Sequence, residues 1–192
     1  MAMPSHLLPD RSRRDWTADE IDALPVDGNR YEVVDGELLV TPAPSNLHQR
    51  AVTLLAVLLQ PYAAAHALDC LVAPTSVRFS ATREVHPDVV VLPTNNGRLA
   101  RDFAEVGRLV LAIEVLSPST ARADRFVKRR LFQSEGVPEC WIVDTASRLV
   151  ERWRPLDEEP EVALETLAWQ PESEHFPRLI DLGAFFRQVH GE

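Results

Sequence analysis

Residues 109–144 read LVLAIEVLSPSTARADRFVKRRLFQSEGVPECWIVD, and this stretch decides the fold. Leu109–Leu116 is apolar at every position except Glu114, which suits a central strand covered on both faces. Ser117-Pro118-Ser119 breaks the strand. The spacing over 121–134 predicts a helix, and Gly136 supplies a left-handed residue to end it. Cys140–Asp144 reads as a second central strand. Strand, helix and strand in this order predict a right-handed crossover between parallel neighbours.

Upstream, YEVVDGELLV over 31–40 is a hairpin with Asp35-Gly36 as its two-residue turn. Thr17 and Glu20 form a capping box ahead of a short helix. Ser45 can cap a long helix through HQRAVTLLAVLLQPYAAAH, which Pro61 would kink or interrupt. Strand-like runs follow near Cys70–Ala73, Ser76–Phe79 and Val85–Leu92. Downstream, Leu149–Trp153 and Val162–Leu167 read as an antiparallel pair, and Leu179–Val189 as a last turn or helix. The expected class is α/β (α+β): a mixed β-sheet flanked by helices, with an N-terminal β-hairpin. Residues 1–15 are expected to be a flexible arm and residues 16–192 a single domain.

The composition narrows the function. With 192 residues, 45% apolar and 26% charged, the chain can bury a sizeable core, and disordered or disulfide-stapled classes are excluded. Cys70 and Cys140 have no metal or redox spacing. Neither a transmembrane helix nor a secretory signal is expected, so the expected location is cytoplasmic and no membrane partner is foreseen. The net charge of −9 argues against holding nucleic acid on a diffuse basic surface. Any such role needs a local basic patch, a metal ion or a partner. No GxGxxG, GxxxxGK[ST] or GxSxG occurs, which excludes a nucleotide cofactor and gives no support to a serine nucleophile.

Three residues carry the chemical argument. Glu114 inside LVLAIEVL would be costly to bury alone, so it needs a cation, a proton or an exit to solvent. Asp88 follows Pro87 at the edge of another apolar run. If the two strands are neighbours, both acids can converge on one divalent ion, and hard carboxylate oxygens suit Mg²⁺ or Mn²⁺. Taken alone, Pro87-Asp88 also reads as a turn. Lys128 is the one lysine among 20 basic residues. It could lean back over the end of the Glu114 strand, or form an ordinary surface pair with Asp124 four residues earlier. Arg122, Arg125, Arg129 and Arg130 make its segment the densest basic stretch, a candidate phosphate or DNA contact and equally a solvated face. Glu32, Glu37 and His48 are candidates for a third ligand or a base. Glu37, directly after the tight turn, is preferred, and His48 comes second.

YEVVDGELLVTPAPSNLHQRA, HPDVVVL and LAIEVLSPSTARADRFVKRRLFQSEGVPECWIVD together resemble the Uma-two family of restriction-endonuclease-like proteins, from about Tyr31 to Val189. The resemblance implies a PD-(D/E)XK nuclease fold with Asp88 and Glu114 as its acids. The lysine usual two residues after the second acid is Leu116 here, and the resemblance implies that Lys128 replaces it from the next helix. For the remaining acid of that fold, Glu37 or His48 is the expected substitute. The implied reaction is Mg²⁺-assisted (or Mn²⁺-assisted) hydrolysis of DNA phosphodiesters, with Asp88 and Glu114 on the metal and Lys128 positioning the hydroxide. A homodimer would suit duplex cutting. The competing expectations are a weak or inactive nuclease-fold module that binds DNA or a protein partner, and a metal-dependent enzyme acting on a smaller phosphate ester.

Overall fold

The computed structural model describes residues 9–172 and 175–192. Thr17 opens helix α1 (Ala18–Asp22) with the expected capping box: its hydroxyl accepts from the Glu20 amide, and the Glu20 carboxylate accepts from the Thr17 amide. The hairpin forms as β1 (Arg30–Val34) and β2 (Glu37–Thr41). Asp35 and Gly36 both take positive φ, 51° and 80°, as a type I′ turn requires. A Cβ on Gly36 would also meet the Arg14 carbonyl oxygen at 2.2 Å. Glycine is therefore needed twice over, for the turn and for the chain lying across it.

That crossing chain revises the flexible arm expected over 1–15. Residues 1–8 lie outside the described residues. The segment that follows is tied to the hairpin: Trp16 Nε1 donates to the Asp10 carbonyl at 2.9 Å, and the Trp16 amide donates to the Gly36 carbonyl at 3.1 Å.

Ser45 caps α2 (Asn46–Ala65) by accepting from the His48 amide, and the helix continues through Pro61 without interruption. Then come β3 (Leu68–Val72), β4 (Val77–Ser80), β5 (Arg83–Val85) and β6 (Val89–Pro93). The single strand expected over Val85–Leu92 is therefore two. Pro87 cannot donate to a ladder, and the chain changes sheets across His86–Asp88. Next, β7 (Leu111–Val115) leads into one helical stretch, α3, over residues 121–134. Its middle, Asp124–Lys128, is a π-helical turn. The crossover ends in β8 (Glu139–Asp144), parallel to β7 as expected. β9 (Leu149–Trp153) pairs with β10 (Glu161–Ala163). The expected run Val162–Leu167 is divided: β11 (Thr166–Trp169) pairs instead with β12 (Arg178–Asp181), which Asp181 turns into α4 (Leu182–His190).

Among the described residues the strands form three sheets. Six lie in the order β10-β9-β8-β7-β6-β3, four in the order β2-β1-β5-β4, and β11 with β12 form a pair. One face of the six-stranded sheet packs Ile113, Val115, Trp141 and Val143 against Leu55 and Leu59 of α2 and Phe185 and Phe186 of α4. The other face packs Val90, Leu92, Ala112 and Ile142 against Leu131 and Phe132 of α3 and Val34, Val77 and Val85 of the smaller sheet. The α3 face is the one that carries the chemistry.

Candidate active site

Strand alternation decides which side chains meet. In β7, Leu111, Ile113 and Val115 face α2, so Ala112 and Glu114 face α3. In β6, Val90 and Leu92 share the α3 side, and Asp88 has their parity. β6 and β7 are antiparallel neighbours with Val89 opposite Ile113. Two residues further, Pro87 would stand opposite Val115. The Val115 amide there donates instead to Asp88 Oδ2 at 2.9 Å, so the acid completes the ladder at the point where the strand leaves it. From the smaller sheet, β1 sends Arg30 and Glu32 toward the same point.

Lys128 is the hub. It is 1% exposed, and its Nζ lies 2.7 Å from Glu114 Oε1, 2.9 Å from Glu32 Oε1 and 3.9 Å from Asp124 Oδ1. The Glu114 contact is an ion pair lying off the hydrogen-bonding direction. Glu32, also 1% exposed, accepts from the His86 amide at 2.7 Å. Asp88 is anchored through Oδ2 by the Val115 amide and by His48 Nε2 at 3.0 Å. Its Oδ1 accepts from Arg30 Nη1 and Nη2 at 3.3 and 3.4 Å. The π turn in α3 spans Asp124 to Lys128 and keeps both side chains buried on the sheet side. Such turns are frequent at functional sites.

The charges do not balance. Four buried carboxylates, Glu32, Asp88, Glu114 and Asp124, surround two permanent cations, Arg30 and Lys128. Burial pushes Glu32 upward, but Lys128, Arg30 and the His86 amide outweigh it and hold the carboxyl below its usual range. Asp88 is likewise opposed by burial, yet is held low by His48, Arg30 and Lys128. Glu114 is driven well above its ordinary value by burial and by Asp124, Asp88 and Glu32, which Lys128 only partly counters. Asp124 is raised to about 6, chiefly by burial. Lys128, although desolvated, is held strongly in its charged form by Glu114, Glu32 and Asp124. The imbalance thus falls on Glu114 and Asp124, whose carboxyls bind protons more readily than in water and so shed part of the excess charge. An apolar filling is often as stable as a buried ion cluster, or more so. Stability alone does not explain this one.

Asp88, Arg30 and His48 open onto a cleft of about 460 Å³ between the hairpin, the start of α2, the Ala73-Pro74 turn and Ser117–Thr120. A smaller hollow of about 60 Å³, lined by Glu32, Asp124 and Lys128, shares Thr41, Ser119 and Thr120 with it.

The structure brings together Asp88, Glu114, Lys128 and His48 from the sequence expectations. It does not bring Glu37. That side chain is half exposed beside the hairpin turn, with Arg14 Nη2 at 4.0 Å, and the hairpin acid in the cluster is Glu32. The basic stretch is also reassigned. Arg125 pairs with Asp144 at 3.0 Å and Glu151 at 2.9 Å, and Arg129 stacks on Trp153 at 4.1 Å. Both guanidinium groups brace α3 against β8 and β9, and Arg122 and Arg130 are the exposed members. Sequence reasoning passed over Arg30 and weighed Asp124 only as an alternative surface partner of Lys128. Glu32 did carry a signal: like Glu114, it is an acid set among buried-type strand residues.

A family model described as "Putative restriction endonuclease" matches residues 18–182. The chain belongs to this family, Uma2. Its matched span takes in every member of the cluster. Among solved structures, the Uma2 chain is similar to one titled a "putative nuclease belonging to DUF820" from Anabaena variabilis. The two are 20% identical, with 90% of this chain and 98% of the other covered at a TM-score of 0.72, so they share a fold. No protein with a curated description matches the sequence.

Proposed function

We propose that this Uma2 protein is a metal-dependent endonuclease that hydrolyses DNA phosphodiester bonds at the Lys128 cluster. The observation that carries the reading is the unbalanced charge. Four buried carboxylates around two permanent cations leave Glu114 and Asp124 binding protons for want of a counter-charge, and one divalent cation would take the place of those protons; Asp88 lines the open cleft, and Glu32 and Asp124 line the hollow beside it. Family membership and the shared nuclease fold support the same class.

The donor chemistry fits magnesium or manganese, which take hard oxygens. Among the described residues no three His, Cys, Asp or Glu side chains form a ready cage. Magnesium needs none, because it commonly binds one or two carboxylates together with substrate phosphates and waters. Asp88 and Glu114 would hold the ion, with Glu32 beside them. The ion supplies a water of lowered pKa and neutralises phosphate charge. His48 donates from Nε2 to Asp88 Oδ2 and fixes that carboxylate's orientation. Lys128 Nζ ties Glu32 to Glu114 and keeps a positive charge where negative charge develops. The cleft above Asp88 receives the strand.

The test is cleavage of plasmid and single-stranded DNA with Mg²⁺ and Mn²⁺, comparing the wild type with Asp88→Asn, Glu114→Gln, Glu32→Gln and Glu37→Gln. The first three changes should each lower cleavage at least about 100-fold, the scale of losing a preorganised charge, while Glu37→Gln leaves it unchanged. Nicking that survives the first three would refute the reading. A second reading, a nuclease-fold module that binds DNA or protein without turnover, is favoured by the net charge of −9 and by Arg125 and Arg129 being engaged internally. Metal binding without cleavage would select it.

A further inference from the structure

The two oxygens of Asp88 are held very differently. Oδ2 takes the Val115 amide at 2.9 Å and His48 Nε2 at 3.0 Å. Among the described residues Oδ1 takes only Arg30, at 3.3 and 3.4 Å, long for a charge-assisted contact, which normally lies near 2.7–2.9 Å. Arg30 is itself poorly satisfied. Its Nε has no hydrogen-bond partner among the described residues and sits 4.0 Å from Glu32 Oε2. A guanidinium carries five donors in a fixed fork that suits phosphate as well as carboxylate. This one spends two of them on a single oxygen, and its side chain, 22% exposed, lines the cleft. Lys128, by contrast, is sealed and closely paired on two sides.

We propose that Arg30 is a place-holding cation: it occupies Asp88 Oδ1 while no divalent ion is bound, releases that oxygen when one binds, and then pairs with the phosphate of the nucleic-acid strand in the cleft. This rests on the metal-dependent reading given above. It assigns opposite effects to one residue. As a competitor for Asp88, Arg30 weakens metal binding. As a phosphate partner, it strengthens substrate binding. A residue that merely held Asp88 in shape would strengthen both.

The experiment measures Mn²⁺ binding to the full chain by calorimetry at pH 7.5, and binding of a fluorescein-labelled oligodeoxynucleotide by anisotropy in the same buffer with EDTA and with Mn²⁺. Arg30→Gln should bind Mn²⁺ about tenfold more tightly, the scale of one weak charge-assisted contact, and should lose at least about tenfold in oligonucleotide affinity with Mn²⁺ present. Arg30→Lys keeps the charge and should stay within about threefold of wild type for Mn²⁺. Urea midpoints check that both variants are folded. Unchanged or weaker Mn²⁺ binding by Arg30→Gln, with wild-type binding intact, overturns the place-holding role alone. So does a tenfold gain in Arg30→Lys, because charge would then not be the cause. Absence of Mn²⁺ binding in wild type and in both variants overturns the metal-dependent reading together with this inference.

Discussion

Replacing Lys128 with methionine removes the ammonium and keeps most of the side-chain volume. Glu32 and Glu114, both 1% exposed, then lose the cation at 2.9 and 2.7 Å, and Asp124 loses it at 3.9 Å. Breaking a buried ion pair from one side costs about 3–5 kcal/mol, because the partner charge is stranded. For a domain whose total stability is about 5–15 kcal/mol, that is a large share. With a urea slope of about 2 kcal/mol per molar, the midpoint should fall by about 2 M at pH 7. The sign with pH follows from the shifts. Lys128 is raised above its ordinary 10.5, so its contribution is fully present below that value and lost only as the pH climbs through the folded-state pKa. At pH 7 the wild type has all of it. In Lys128→Met the stranded acids titrate instead, and protons neutralise them as the pH falls, so the deficit should shrink between pH 7 and pH 5. Adding Glu32→Gln should recover part of the loss by removing the charge that Lys128 holds ionised at 2.9 Å, and a double-mutant cycle reads that coupling directly. A loss below about 1 kcal/mol, a deficit of equal size at pH 5, or no coupling with Glu32→Gln would refute the account of Lys128 as the hub.

Asp124, raised from 3.8 to about 6, binds its proton more readily folded than unfolded. Its stabilising contribution is therefore complete below 3.8 and lost as the pH rises through about 6, a swing of about 3 kcal/mol. Asp124→Asn should flatten the urea-midpoint profile over that interval, and a profile as steep as wild type would contradict the assignment. Gly36→Ala forces a Cβ to within 2.2 Å of the Arg14 carbonyl oxygen at a φ of +80°, so it should cost at least about 2 kcal/mol. Thermal unfolding followed by circular dichroism checks this, and a loss of a few tenths would show that the crossing chain yields easily.

Local pattern was enough for the elements and for part of the site. Asp35-Gly36 specified a turn by its need for positive φ, Thr17 and Glu20 specified a cap, and the unbroken apolar runs around Glu114 and Ile142 specified parallel neighbours covered on both faces. Asp88, Glu114 and Lys128 were legible for a related reason: each is a charge placed where its neighbours announce burial, or the one residue of its kind. The rest depended on tertiary contacts. Whether Glu32 or Glu37 entered the cluster turned on where β1 passes beneath α3, which periodicity along the hairpin does not encode. Arg30 meets Asp88 across 58 positions of chain, and Arg125 meets Glu151 only because β9 folds back beside β8. A residue's neighbours along the chain set its conformation and its tendency to be buried. Its electrostatic partners are set by which surfaces pack together, because pairing energies fall off over a few ångströms of space whatever the separation in sequence.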